Sequence, residues 1–78
     1  MKDKLTAILE RIKRNKNKAD MHSFTARVKD GVAYVNYAYT YNITIDKYNG
    51  DREHYSLNLT ETYQLLQSLM IDENTFAI

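Results

Sequence analysis

Residues 32–45 read VAYVNYAYTYNITI. The stretch alternates on a period of two, as a strand with one buried face requires. Ala33, Val35, Tyr37, Tyr39, Tyr41, Ile43 and Ile45 fall on one side, and Val32, Tyr34, Asn36, Ala38, Thr40, Asn42 and Thr44 on the other. Such unbroken alternation predicts one long second strand. At roughly 3.3 Å per residue it would run to about 45 Å if straight. A compact chain of this size is only about 30 Å across. The strand therefore has to bend strongly or break, and residues 36–42 are the expected place.

The flanks extend the pattern. In residues 21–29, Phe24, Ala26 and Val28 alternate with Ser23, Thr25, Arg27 and Lys29. Asp30-Gly31 follows, a dipeptide that favours a two-residue type I′ hairpin. That turn predicts Val28 opposite Ala33, Ala26 opposite Val35 and Phe24 opposite Tyr37. Downstream, a three-residue loop Tyr48-Asn49-Gly50 with Gly50 left-handed fits better than a two-residue turn. It sets Lys47 opposite Asp51, Asp46 opposite Arg52, Ile43 opposite Tyr55, Tyr41 opposite Leu57 and Tyr39 opposite Leu59. Strand one then pairs mainly with the first half of strand two and strand three with the second, so each half of strand two is left with a free edge.

Helices bracket the strands. In residues 2–14, Leu5, Ile8, Leu9 and Ile12 form an apolar stripe. Asp3 and the trio Arg11, Lys13 and Arg14 suit the two ends of the helix dipole, and Asn15 or Asn17 is expected to end it in the left-handed conformation. Residues 60–71 read as a second helix, capped by Asn58 or Thr60, with Tyr63, Leu66, Leu69 and Met70 as its buried stripe. The acidic, then apolar, tail 72–78 either folds back through Phe76 and Ile78 or stays loose. The expected architecture is α+β in two layers: an α-β-β-β-α order, with a three-stranded antiparallel meander and both helices packed on its apolar face. Residues 1–78 form one domain, with a basic loop at 13–18.

Composition removes several function classes. The chain has 78 residues and no cysteine, so it has no disulfide, thiolate metal site or thiol nucleophile. His22 and His54 are the only histidines and lack helical partners, so neither metal nor cofactor is expected. Both glycines are used by turns, which leaves no phosphate-binding loop. Arg52, Glu53 and His54 resemble a scattered acid–base set, but they also make an ordinary hairpin arm. No enzyme is expected. No apolar run approaches a membrane span and no signal-peptide pattern opens the chain, which predicts a cytoplasmic protein away from membranes. A core this small makes a homodimer or a bound partner an expectation.

Charge is the one asymmetric feature. The net charge is +1. Residues 1–29 hold nine basic and three acidic side chains, while residues 30–78 hold two basic and seven acidic ones. Arg11, Lys13, Arg14, Lys16 and Lys18, joined by Arg27, Lys29 and Tyr34, are the candidate contacts for a partner or a nucleic acid. The same basic run also suits a solvated helix end, and the polar strand face suits a sheet wet on one side. Tyr37, Tyr39, Tyr41, Tyr55 and Tyr63 are expected in the core or at its rim; Tyr34 and Tyr48 are expected outside.

The α-β-β-β-α order resembles that of double-stranded-RNA-binding domains over most of the chain. Where that family has a longer functional loop between strands one and two, this chain has Asp30-Gly31. Where it has a lysine cluster opening the last helix, this chain has Thr60-Glu61-Thr62. No residue role carries over. The expected function is that of a small non-enzymatic binding protein docking on a protein target. It would be an inhibitor or adaptor of the kind phages and mobile elements encode, directed at a nucleic-acid-handling host complex. The docking surface would be the acidic half or a free edge of strand two, which would also serve a homodimer. The alternative is a nucleic-acid-binding domain using the run at 11–18 and the polar sheet face.

Overall fold

The computed structural model describes residues 3–18 and 20–77. Lys2, the expected start of the first helix, and Ile78 lie outside them. In chain order the elements are helix α1 (Lys4–Arg14), strands β1 (Ser23–Val28), β2 (Gly31–Ala38), β3 (Thr40–Lys47) and β4 (Arg52–Leu57), helix α2 (Leu59–Ser68), and a 3₁₀ turn at Glu73–Thr75. The sheet is an antiparallel meander of four strands in the order β1-β2-β3-β4.

The fourth strand corrects the expected three. The alternating stretch folds back on itself at Tyr39, whose φ is 64°. Ala38 pairs with Thr40, Tyr37 with Tyr41, Val35 with Ile43 and Ala33 with Ile45. Every pair is symmetric about Tyr39, so residues of like parity face each other and the alternation passes through the turn without a phase change. Sequence periodicity alone therefore cannot tell this hairpin from one long strand. Length can: each half has eight residues, about 26 Å at full extension, within principal dimensions of 34 × 27 × 21 Å.

Two further expectations fall with the long strand. Its halves pair with each other, so neither leaves a free edge for a homodimer or a target; the sheet's edges are β1 and β4. The likeness in element order to double-stranded-RNA-binding domains is lost as well. Tyr39 and Leu59 do not pair, since one is the turn and the other opens α2.

The first hairpin has the expected faces but a register shifted by two. Val28 pairs with Gly31, Ala26 with Ala33 and Phe24 with Val35. The turn is Lys29-Asp30, and neither residue has a positive φ, so it is not type I′. Gly31 instead pairs within β2 opposite Lys47, so close to the β3 backbone that a side chain would clash. A Cβ there would sit 2.1 Å from the Asp46 carbonyl oxygen. The last hairpin is as expected. Gly50 has φ 98°, its N–H donates to the Lys47 carbonyl at 3.0 Å, and Asp46, Ile43 and Tyr41 pair with Arg52, Tyr55 and Leu57.

Burial explains why the helices sit where they do. Leu5, Ile8, Leu9 and Ile12 of α1 and Leu66 of α2 share one buried cluster with Phe24, Ala26, Val28, Ala33, Val35, Tyr41, Ile43 and Ile45. Each large side chain buried this way contributes about 1.5–3 kcal/mol. Asp3 caps α1, accepting the Thr6 N–H at 2.8 Å, and also accepts the Tyr63 hydroxyl of α2. These bonds hold its carboxyl below the ordinary range. Asn15 ends α1 with φ −98°, not in the left-handed conformation. Asn58 and Glu61 form a reciprocal capping box at the start of α2. Met70 is not in the buried stripe. It stands exposed past the helix end with φ 57°. The tail folds back, with Phe76 edge-on to Phe24 at 5.2 Å. No helix among the described residues is long and apolar enough to cross a membrane.

Two outcomes follow. Gly31→Ala forces a side chain into the β3 backbone and lowers stability by about 1–3 kcal/mol. Gly50→Ala, with open space but a left-handed backbone, costs about 1 kcal/mol; urea titration ranks the two. Tyr41 is buried, and its hydroxyl donates to the Leu9 carbonyl at 2.8 Å. Burial, with lesser contributions from Tyr37 and Glu10, pushes its pKa up from 10.0 to about 12. The stability that comes from keeping this phenol neutral is whole below pH 10 and is lost as pH rises through about 12. Urea midpoints at about pH 8.5 and about pH 11 should fall steeply for the natural chain and less steeply for Tyr41→Phe.

Candidate docking surface

One end of the molecule gathers three pieces of chain. The first is the tip of the β2–β3 hairpin. The second is the last turn of α1 with the loop after it, and the third is the start of α2. Tyr39 crowns the tip and is 98% exposed. A non-glycine residue in the left-handed region costs roughly 1–2 kcal/mol, and a bulky one is found there rarely. Beneath it, Tyr37 and the buried Tyr41 meet edge to face at 4.9 Å. The Lys13 ammonium lies 5.9 Å from the centre of the Tyr37 ring, within cation–π range.

Clefts open beside the tip and beside the last turn of α1. One, of about 390 Å³, is lined by Lys16, Asn17, Tyr37, Ala38 and Tyr39. The other, of about 580 Å³, is lined by Glu10, Lys13, Arg14, Lys16 and Leu59. Helix polarity explains the charge here: cations at the C-terminal turn suit the partial negative charge of the last carbonyls. The hairpin tip then sets an aromatic side chain among them.

The candidate residues therefore separate. Lys16 lines the cleft at the tip, and Lys13, Arg14 and Lys16 line the one beside α1. Arg11 and Lys18 are exposed nearby without lining either. Arg27 and Tyr34 lie on the uncovered sheet face, and Lys29 is in the β1–β2 turn, at the far end of β2 from Tyr39. The alternation predicts Tyr39 in the core or at its rim, but it stands outside both. Its parity matched the buried set, and only the impossible strand length signalled a turn at this position. Tyr41 is buried and Tyr37, Tyr55 and Tyr63 are half-buried against the core, while Tyr34 and Tyr48 are exposed.

The uncovered sheet face is organised in rows that cross all four strands. One row is Thr25, Tyr34, Thr44 and His54; a second is Ser23, Asn36, Asn42 and Ser56; a third is Arg27, Val32, Asp46 and Arg52. Many of these groups bond to each other. Thr44 Oγ1 lies 3.1 Å from His54 Nδ1, Ser56 donates to Asn42 at 3.2 Å, and Arg52 pairs with Asp46. Much of the acidic half is likewise engaged in its own structure. Glu53 pairs with Lys47 at 3.3 Å, Glu61 completes a capping box, and Asp72 caps the 3₁₀ turn. The tip, by contrast, presents an aromatic side chain in solvent beside three exposed cations.

No family model, curated protein or solved structure matches the chain.

Replacing Tyr39 by glycine relieves a left-handed backbone and removes a side chain that the core does not use. Stability should rise by about 1 kcal/mol, read as a higher urea midpoint at an unchanged slope. A fall would show that the side chain supports the fold.

Proposed function

We propose that this chain is a non-enzymatic binding protein, an inhibitor or adaptor, that docks on a protein partner through the hairpin tip. Tyr39 is the anchor, and Lys13, Arg14 and Lys16 form a rim that faces acidic groups. The observation that carries this reading is the combination at Tyr39: a costly backbone conformation and a fully exposed aromatic side chain. Burial of such a side chain in a partner returns about 1.5–3 kcal/mol, comparable to the backbone cost. Tyrosine and arginine are also the residue types that dominate protein–protein hot spots.

A second reading has its own support. An exposed aromatic beside lysines can stack a base while the cations hold phosphates, which makes the tip a single-stranded nucleic-acid site. The net charge of +1 and the presence of Glu10 in one cleft favour the protein partner.

The test is affinity capture by the full chain from cells that encode it, with nuclease added. Tyr39→Gly and a charge reversal (Lys13→Glu, Arg14→Glu and Lys16→Glu together) run in parallel. A protein held by the natural chain should be lost from both variants, each of which stays folded. A partner retained by both sinks the reading. Labelled single-stranded RNA bound at about 0.15 M salt, and released by the charge reversal, moves the site to nucleic acid.

A further inference from the structure

The outer edge of β1 is closed by the chain's own tail. The Tyr37 N–H donates to the His22 carbonyl at 2.9 Å, which fixes the phase of the β1–β2 ladder. Thr25 and Arg27 therefore point their backbone groups away from β2. The tail meets all four of these groups. Thr25 and Ala77 exchange both N–H to carbonyl bonds, each at 2.9 Å. The Arg27 N–H donates to the Thr75 hydroxyl at 2.8 Å, and the Asp72 N–H donates to the Arg27 carbonyl at 2.8 Å. The Phe76 ring covers Phe24.

The tail is nevertheless an imperfect strand. Among the described residues of the tail, only Ala77 forms a β-bridge with β1. At Arg27 a side-chain hydroxyl stands in for a backbone carbonyl, because the chain from Glu73 to Thr75 is wound in a 3₁₀ turn. The segment also hangs from Met70, which holds φ 57° at the end of α2. There the Ile71 N–H donates to the Leu66 carbonyl at 3.1 Å and the Met70 N–H to Gln67 at 3.0 Å. In this helix-ending motif the left-handed position is usually glycine. The closed tail thus leaves the ladder incomplete.

The geometry points to the β1 edge as a second docking surface, which takes an extended segment of another protein in place of the tail. A continuous strand there satisfies Thr25 and Arg27 with backbone groups throughout, the mode in which a peptide adds to a sheet edge. The tail defines the chemistry of the ligand. Asp72 lies beside Arg27, to whose carbonyl its N–H donates, Glu73 follows it, and Arg27 and Lys29 are exposed. The segment it fits carries acidic residues followed by an aromatic one that replaces Phe76 against Phe24. This surface is separate from the Tyr39 tip and does not depend on it.

The test uses a blocked, labelled peptide of residues 72–77, DENTFA, with the full natural chain and its full-length Phe76→Ala variant. Apparent affinity scales with the fraction of molecules whose edge is open, so the variant should bind the peptide at least about tenfold more tightly than the natural chain. Arg27→Glu in the variant background should weaken binding, and a peptide with Phe replaced by Ala should not bind. A Phe76→Ala chain that keeps its fold and ignores the peptide overturns the proposal. If the natural chain forms a concentration-dependent dimer that Phe76→Ala abolishes, the edge belongs to a second copy's tail, which also overturns it. The natural chain gives a check that does not depend on the variant folding. The amides of Thr25 and Arg27 should exchange with solvent at least about tenfold faster than those of Phe24 and Ala26. Equal rates would mean that the tail does not open and would overturn the proposal.

Discussion

The antiparallel pairing of β2 with β3 about Tyr39 sets where every other element goes. It places Ala33, Val35, Tyr37, Tyr41, Ile43 and Ile45 on one face, and that face carries the core. β1 and β4 add to its two sides, and their apolar residues join the same face because each short hairpin preserves the alternation. The helices then cover what the strands expose. Tyr41 makes the dependence concrete: it belongs to β3, is buried, and bonds to a carbonyl of α1. Without the fold-back this ring would have no fixed place beneath the helix.

Most of the fold was legible because the hydrophobic patterns are strong and local. The stripe Leu5, Ile8, Leu9 and Ile12, the loop around Gly50, and the capping residue Asn58 all behave as their spacing predicts. What was hidden had a physical cause in each case. A hairpin that pivots on a single residue leaves period-two alternation intact, so a fourth strand left no mark except excess length. Gly31 looked like a turn glycine, yet its role is to let the Asp46 carbonyl approach. That contact links residues fifteen positions apart and cannot be read locally. Of the candidate site, the cations Lys13, Arg14 and Lys16 were visible as a charge run. Their companion Tyr39 was not, because its parity assigned it to the core.

The two surfaces differ in how their polar groups are occupied. On the open sheet face, hydroxyls, amides and charges largely answer one another across strands. Such a face is stable in water without a partner. At the tip, an aromatic side chain projects from a strained backbone with cations around it. Folding alone gives no reason to keep tyrosine at that position, where glycine or asparagine would sit at lower cost. That contrast separates a surface that is merely wet from one that is suited to contact.

Closure of the tail has a consequence for the order in which the structure assembles. The three hairpins close turns of a few residues, whereas the bridge from Thr25 to Ala77 closes a loop of about fifty. Each doubling of loop length adds about 0.6 kcal/mol of entropy cost, so this closure costs roughly 2–3 kcal/mol more than a hairpin if it forms alone. It becomes favourable once the meander and α2 have shortened the effective loop to the few residues after Met70. The sheet's edge is thus sealed by a contact that the rest of the fold must first make affordable, and its occupancy reports that the chain has completed its fold.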